Sequence, residues 1–188
     1  IIVSHDIMTF GLGESYVEQL LHEQMSHMEN PSLATYAKPC EVRLRATAKA
    51  QSAEQAEEML APVVDEVKTL LGPYVDGVDV TGLEAACSSL LLERGLTLPT
   101  AESCTGGLIA RRITALPGAS RVYRGGVVSY WTEVKAAVLG VPQDLLDQYG
   151  AVSEPTARAM AEGARRITGA DIAVSVTGVA GPSGNCPG

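Results

Sequence analysis

The chain has 188 residues, 46% of them apolar, and carries 14 Lys and Arg against 22 Asp and Glu, a net charge of −8. This is enough for one large domain or two small ones with ordinary cores, and two is the expectation. The acidic balance disfavours a protein that grips nucleic acid through its phosphates, which needs clustered cations. No apolar run approaches the ~20 residues of a membrane span. Cys40, Cys87, Cys104 and Cys186 have the spacing of neither a zinc knuckle nor a disulfide framework. A cytoplasmic chain with reduced thiols, no metal and no cofactor is expected.

Residues 1 to 78 read as a small α+β domain. After a short apolar start, Gly13-Glu14-Ser15 opens a helix carrying Tyr16, Val17, Leu20, Leu21 and Met25, and Asn30-Pro31 ends it. From Glu41 to Ala48, apolar Val42, Leu44, Ala46 and Ala48 alternate with Arg43, Arg45 and Thr47, the period of a half-buried strand. Ser52 with Gln55 three residues later is a capping-box pattern. It opens a helix whose apolar positions, Ala56, Met59, Leu60, Val63, Val67 and Leu70, recur at helical spacing until Gly72-Pro73. Tyr74 to Thr81 is a last short strand or a linker, and the boundary is placed there.

In residues 79 to 188 the rhythm changes. A helix with Leu83, Ala86, Cys87, Leu90 and Leu91 ends at Gly95, and an extended run, Leu96 to Ala101, follows. After a tight turn comes a helix with Leu108, Ile109, Ile113 and Leu116. Gly126 to Trp131 reads as a strand, Thr132 to Leu139 as a short helix, Ser153 to Ile167 as a longer one, and Asp171 to Val176 as a buried strand. Such alternation implies an α/β fold with crossovers and a mixed, largely parallel sheet covered on both faces.

The chemistry-bearing cluster is Ala101-Glu102-Ser103-Cys104-Thr105-Gly106-Gly107, a strand-to-helix turn. The first amides of a helix lack internal acceptors and favour negative charge, so a developing oxyanion beside Ser103 would be stabilised there. From spacing alone, Ser103 or Thr105 serves equally well as an N-cap. A serine nucleophile needs a base, and His5, His22 and His27 all lie in the other half. Lys135 is the candidate base, since a desolvated lysine can accept a proton, and Tyr130 can relay one. An isolated lysine on a short helix is otherwise a solvated surface charge. Cys104, one residue further into the turn, reads as packing.

Four blocks occur in the order and spacing of the CinA C-terminal domain: AESCTGG from Ala101, GVVSYWTEVK from Gly126, GAVSEP from Gly150 and TGVAGP from Thr177. The chain resembles that family. The resemblance implies a three-layer deamidase domain that hydrolyses the carboxamide of nicotinamide mononucleotide to nicotinic acid mononucleotide and ammonia. It makes Ser103 the nucleophile, assisted by Tyr130 and Lys135. Thr105, Gly106 and Gly107 would then hold the oxyanion turn, and Gly178, Ala180 and Gly181 would contact ribose or phosphate. A homodimer is implied.

The blocks GLGES at Gly11, NPSLATYA at Asn30 and EVRLRATA at Glu41 resemble the KH-type middle domain of longer CinA proteins. A nucleotide-clamping GxxG loop is not evident, so RNA is not the expected partner. Such proteins also carry an N-terminal nucleotide-hydrolase domain that no block here resembles. After GVAGP the chain reads SGNCPG, where the family continues through a further strand and helix, so a shortened C-terminus is expected. The alternative reading is a non-catalytic scaffold linked to competence and the DNA damage response.

Overall fold

The alternating stretch from Glu41 does form a strand, and it lies inside a four-stranded antiparallel sheet. The computed structural model describes residues 1–38 and 41–181 and divides the chain into two units, Ile1–Ala86 and Cys87–Gly188. In the first unit, β1 (Ile2–Phe10), β2 (Ser32–Lys38), β3 (Glu41–Lys49) and β4 (Val75–Val78) pair in the order β2-β3-β1-β4. Two helices, α1 (Glu14–Leu20) and α2 (His22–His27), replace the one expected, with Leu21 as the break. The long helix is α3 (Ala53–Leu71), and Ser52 caps it by accepting from the Gln55 amide.

The inward face of β3 supplies Val42, Leu44, Ala46 and Ala48, and α3 answers with Ala56, Leu60, Val63 and Val67, all buried in one core. Each fully buried aliphatic side chain is worth roughly 1.5–3 kcal/mol relative to exposure. Two strands are not evident from the pattern. In β1 the consecutive Ile7, Met8 and Thr9 are all buried, so this central strand is buried on both faces there and shows no alternation. In β2, at the sheet edge, only Leu33 is buried, which leaves too weak a signal.

In the second unit, β5 (Leu98–Glu102) stands between β6 (Tyr123–Val128) and β7 (Val174–Val176), and both pairings are parallel. Helix α4 (Leu83–Arg94) runs across the division between units. The crossovers carry α5 (Leu108–Thr114), α6 (Thr132–Ala137), α7 (Gln143–Tyr149) and α8 (Glu154–Thr168). Strand β5 feeds two cores. Ala101 packs with Leu139, Leu146, Met160 and Ala164 on one face, and Leu98 with Leu91, Ile113 and Val122 on the other. The result is a sheet between two helical layers, as the alternation of elements required.

Three details differ from the sequence reading. Strand β6 begins at Tyr123 and ends at Val128, three residues before the expected span, so Tyr130 lies in the loop beyond it. Helix α7 was not expected. Strand β7 is only three residues long, and its Val174 is exposed. Helix α8 is capped by Ser153, which accepts from the Thr156 amide. At Gly163 it presses its backbone against the loop after α6: a Cβ there would overlap the Leu139 carbonyl. Arg166 Nη2 donates to that same carbonyl at 2.9 Å. The Pro182-to-Gly188 segment, with the expected shortened end, together with Cys40 and Cys186, lies outside the described residues.

Candidate active site

The register of the parallel sheet brings its three carboxyl ends level, with Glu102 opposite Val128 and Val176. This is the edge where open α/β sheets place their ligands. Pairing runs one residue further: the Ser103 amide donates to Val176 O at 2.9 Å, and the Ser129 amide donates to Glu102 O at 2.8 Å. Ser103 and Ser129 therefore leave adjacent strands side by side.

Across from them stands Lys135, the one buried residue of α6, only 1% exposed. Its Nζ donates to Ser129 O at 2.6 Å and lies 3.0 Å from Ser103 Oγ. The surface-charge reading of Lys135 is thereby overturned. Burial pushes its pKa below the ordinary lysine value, against a weaker opposing electrostatic influence from the neighbouring Cys104 side chain. With one N–H held by the Ser129 carbonyl, a neutral amine keeps its lone pair for the Ser103 hydroxyl. Ser103 itself is 6% exposed.

The N-cap reading of Ser103 and Thr105 also fails. Gly107 is the N-cap of α5, with no side-chain cap bond. Both Gly106 (φ 60°) and Gly107 (φ 97°) adopt the left-handed conformation that glycine accepts without strain. Thr105 Oγ1 donates instead to Glu102 Oε2 at 2.8 Å, the Ile109 amide donates to the same oxygen at 3.0 Å, and the Ala110 amide donates to Oε1 at 2.8 Å.

The residue that sequence reasoning left without a role is Glu102, whose carboxylate is 1% exposed. Burial alone would raise its pKa, but bonds from Ala110, Thr105, Ile109 and Thr100 outweigh this and hold it below the usual carboxylate value. The start of α5 is thus already occupied by an internal anion, and its amides at Ile109 and Ala110 are not available to an oxyanion. The Gly106 amide is also engaged, donating to Ser103 O at 3.0 Å. Among the described residues, the amides of Cys104 and Thr105 donate to no acceptor. The legible signal for Glu102 was a carboxylate ending a short, fully buried strand just before a helix start.

Tyr130 is 59% exposed and hydrogen-bonds to neither Ser103 nor Lys135. Of the loop after β7, Gly178 comes to the site: a Cβ built on it would stand 3.0 Å from Cys104 Sγ. Thr177 Oγ1 donates to Ala151 O at 2.7 Å and anchors this loop. Ala180 and Gly181 are exposed. Among the described residues no cluster of three His, Cys, Asp or Glu is set to hold a metal, and no helix is long and apolar enough to cross a membrane.

This is an α/β unit with a buried serine–lysine pair at the carboxyl edge of a parallel sheet, following an antiparallel α+β unit. Residues 80–188 match the model of the CinA C-terminal domain, and residues 4–77 match that of the damage-inducible protein CinA KH domain. The chain belongs to the CinA family. It is 45% identical over 184 residues to a CinA-like protein of Dictyoglomus turgidum, covering 98% of this chain and 45% of that protein. It is 43% identical over 187 residues to a CinA-like protein of Kosmotoga olearia, covering 100% of this chain and 45% of that one. The chain thus spans less than half the length of these curated relatives. Among solved structures it is similar to a CinA superfamily protein from Escherichia coli, with 39% identity and TM-score 0.53 over 54% of this chain and 59% of that one. It is also similar to the competence/damage inducible protein CihA from Agrobacterium tumefaciens, with 43% identity and TM-score 0.53 over 55% of this chain and 63% of that one.

Proposed function

We propose that the second unit is an amidohydrolase that converts nicotinamide mononucleotide to nicotinic acid mononucleotide and ammonia, with Ser103 as nucleophile. The observation that carries this is the buried Lys135 Nζ at 3.0 Å from Ser103 Oγ. In the reaction, Ser103 Oγ attacks the carboxamide carbon as its proton passes to Lys135 Nζ. The amides of Cys104 and Thr105 receive the oxyanion. Ammonia departs with the proton returned by Lys135 and leaves an acyl-serine. Water then attacks this ester, gives a proton to Lys135, and the acid is released as Ser103 recovers its own.

Preorganised amides of this kind are typically worth about 3 kcal/mol of transition-state stabilisation. Tyr130, exposed at the rim, assists by proton donation to the bound substrate. Gly178, Ala180 and Gly181 contact its ribose or phosphate, and Gly107 keeps the approach to the turn open. The protein works as a homodimer without metal or cofactor.

The test is ammonia release from nicotinamide mononucleotide by the full-length protein and its Ser103→Ala form. Activity lost with the serine supports the reading, and activity that survives removes Ser103 as nucleophile. No release from the unaltered protein would favour the scaffold role in competence and damage response.

A further inference from the structure

No cation pairs with Glu102 among the described residues. Among the described residues its side chain meets only donors, namely the Thr105 hydroxyl and the Ile109 and Ala110 amides already described, with the Thr100 hydroxyl as a further donor. A buried carboxylate without a counter-ion is costly unless its lone pairs are filled. Its negative charge beside the nucleophile also opposes an oxyanion by Coulomb repulsion, so electrostatic help to the reaction is not what it supplies.

What it supplies is geometry. Every bonded donor beyond the strand lies in 105–110, so the carboxylate closes the turn 103–107 from the far side. Its own backbone carbonyl accepts from the Ser129 amide, and Ser129 O in turn holds Lys135 Nζ. Glu102 is therefore bonded to both segments that the chemistry needs, the nucleophile turn through its side chain and the base through the backbone of Ser129. The site requires a group that only accepts, because all four of the contacts named above are N–H or O–H donors. A glutamine of equal size would present its own NH2 to at least one of them.

We infer that Glu102 is a positioning residue for the hydrolysis: its carboxylate fixes the turn so that Ser103 Oγ stays within reach of Lys135 and the Cys104 and Thr105 amides stay free for the substrate oxygen. This rests on the reading of Ser103 as nucleophile.

The experiment compares full-length Glu102→Gln with the unaltered protein, using a fluorophosphonate that labels activated serines to count competent sites. The kcat for nicotinamide mononucleotide per labelled site is expected to fall about 10²-fold, the scale of an ångström-level misplacement, with KM little changed and Ser103 labelling slowed in parallel. Fewer labelled sites with kcat per site unchanged would mean a purely structural carboxylate and overturn the inference. If Glu102→Gln does not fold, Thr105→Val decides, since it removes one donor and leaves the backbone amides in place. A smaller fall of kcat per site at constant KM supports the inference, and no fall overturns it. A protein that labels at Ser103 but releases no ammonia sinks the substrate alone, and the labelling rates of the variants then decide. A protein that does not label sinks the nucleophile and the inference together.

Discussion

Lys135 Nζ and Ser103 Oγ lie 3.0 Å apart across 32 residues of sequence, in a setting where the lysine is 1% exposed and its other bond goes to the Ser129 carbonyl. Among the described residues, neither side chain bonds directly to a carboxylate. No carboxylate among the described residues pairs with the ammonium form of Lys135 to offset its burial, and this sets the direction of the first two predictions.

Replacing Lys135 by Met should stabilise the protein while removing its activity. A well-packed apolar side chain avoids the desolvation of a buried cation, a gain of roughly 1–4 kcal/mol when such groups are exchanged, while loss of the base should lower kcat by about 10²–10⁴-fold. Thermal denaturation at neutral pH checks the first, and ammonia release the second. The sign with pH follows from linkage. The folded-state pKa lies below that of the unfolded chain, so the lysine's penalty is fully present at low pH and disappears as pH rises towards the unfolded value. The advantage of the Met variant should therefore shrink in alkaline buffer, and an advantage that grew would contradict the assignment.

The same lowered pKa governs rate. In the proposed reaction attack needs neutral Lys135, so kcat/KM should rise with pH along a limb whose midpoint lies below the ordinary lysine pKa of about 10.4. A pH–rate profile with no such limb would exclude the lysine as base.

Much of this site was open to inspection in the sequence, and the part that was not has a physical reason. Ser103 stood out because a strand, a turn with two glycines and a helix follow one another directly, and the block resemblance tied it to Lys135. The burial of Lys135 is not encoded in its own helix, whose other residues are not buried; it arises from the parallel pairing of β5 and β6, a long-range event that local pattern does not display. The role of Glu102 was hidden for a related reason, since two of its partners are backbone amides seven and eight residues on, which carry no sequence signature. In the first unit, β3 was legible because one face is wet, whereas β1, covered at both faces, lost the alternation that announces a strand.

Gly163→Ala should destabilise the second unit by about 1–3 kcal/mol, despite alanine's better helix propensity. The added methyl has no room against the Leu139 carbonyl, and the obstruction is backbone that also accepts from Arg166. A urea titration would show a lower midpoint, and an unchanged or higher one would refute the close approach.

Ser129→Ala should leave stability unchanged or raise it. The Ser129 hydroxyl is buried and has no partner among the described residues, and an unsatisfied buried polar group costs about 1–3 kcal/mol. The carbonyl that holds Lys135 survives the change. A clear drop in melting temperature would mean that the hydroxyl does have a partner.

In the first unit, His5 bridges two carboxylates, with Nδ1 2.6 Å from Asp79 Oδ2 and Nε2 2.7 Å from Glu57 Oε2. Its bonds to Glu57 and Asp79 raise its pKa. The sign is opposite to that of Lys135: this stabilisation is complete below the unfolded histidine pKa of about 6.5 and is lost as pH rises through the raised folded value. The difference in urea midpoint between the unaltered protein and His5→Ala should be largest in mildly acidic buffer and decline with increasing pH. A difference that does not vary with pH would show that the clasp carries no charge.

The anchoring of the Ser103 amide to Val176, together with a base that arrives from another crossover, also has a consequence in time. A chain emerging from the ribosome exposes its serine long before residues 135 and 176 have been made, and parallel pairings of this separation form late in folding. On the proposed reading, hydrolytic capacity would therefore be acquired only with completion of the sheet. A nascent or partly unfolded copy would then lack the Ser103–Lys135 pair that the reaction is proposed to need.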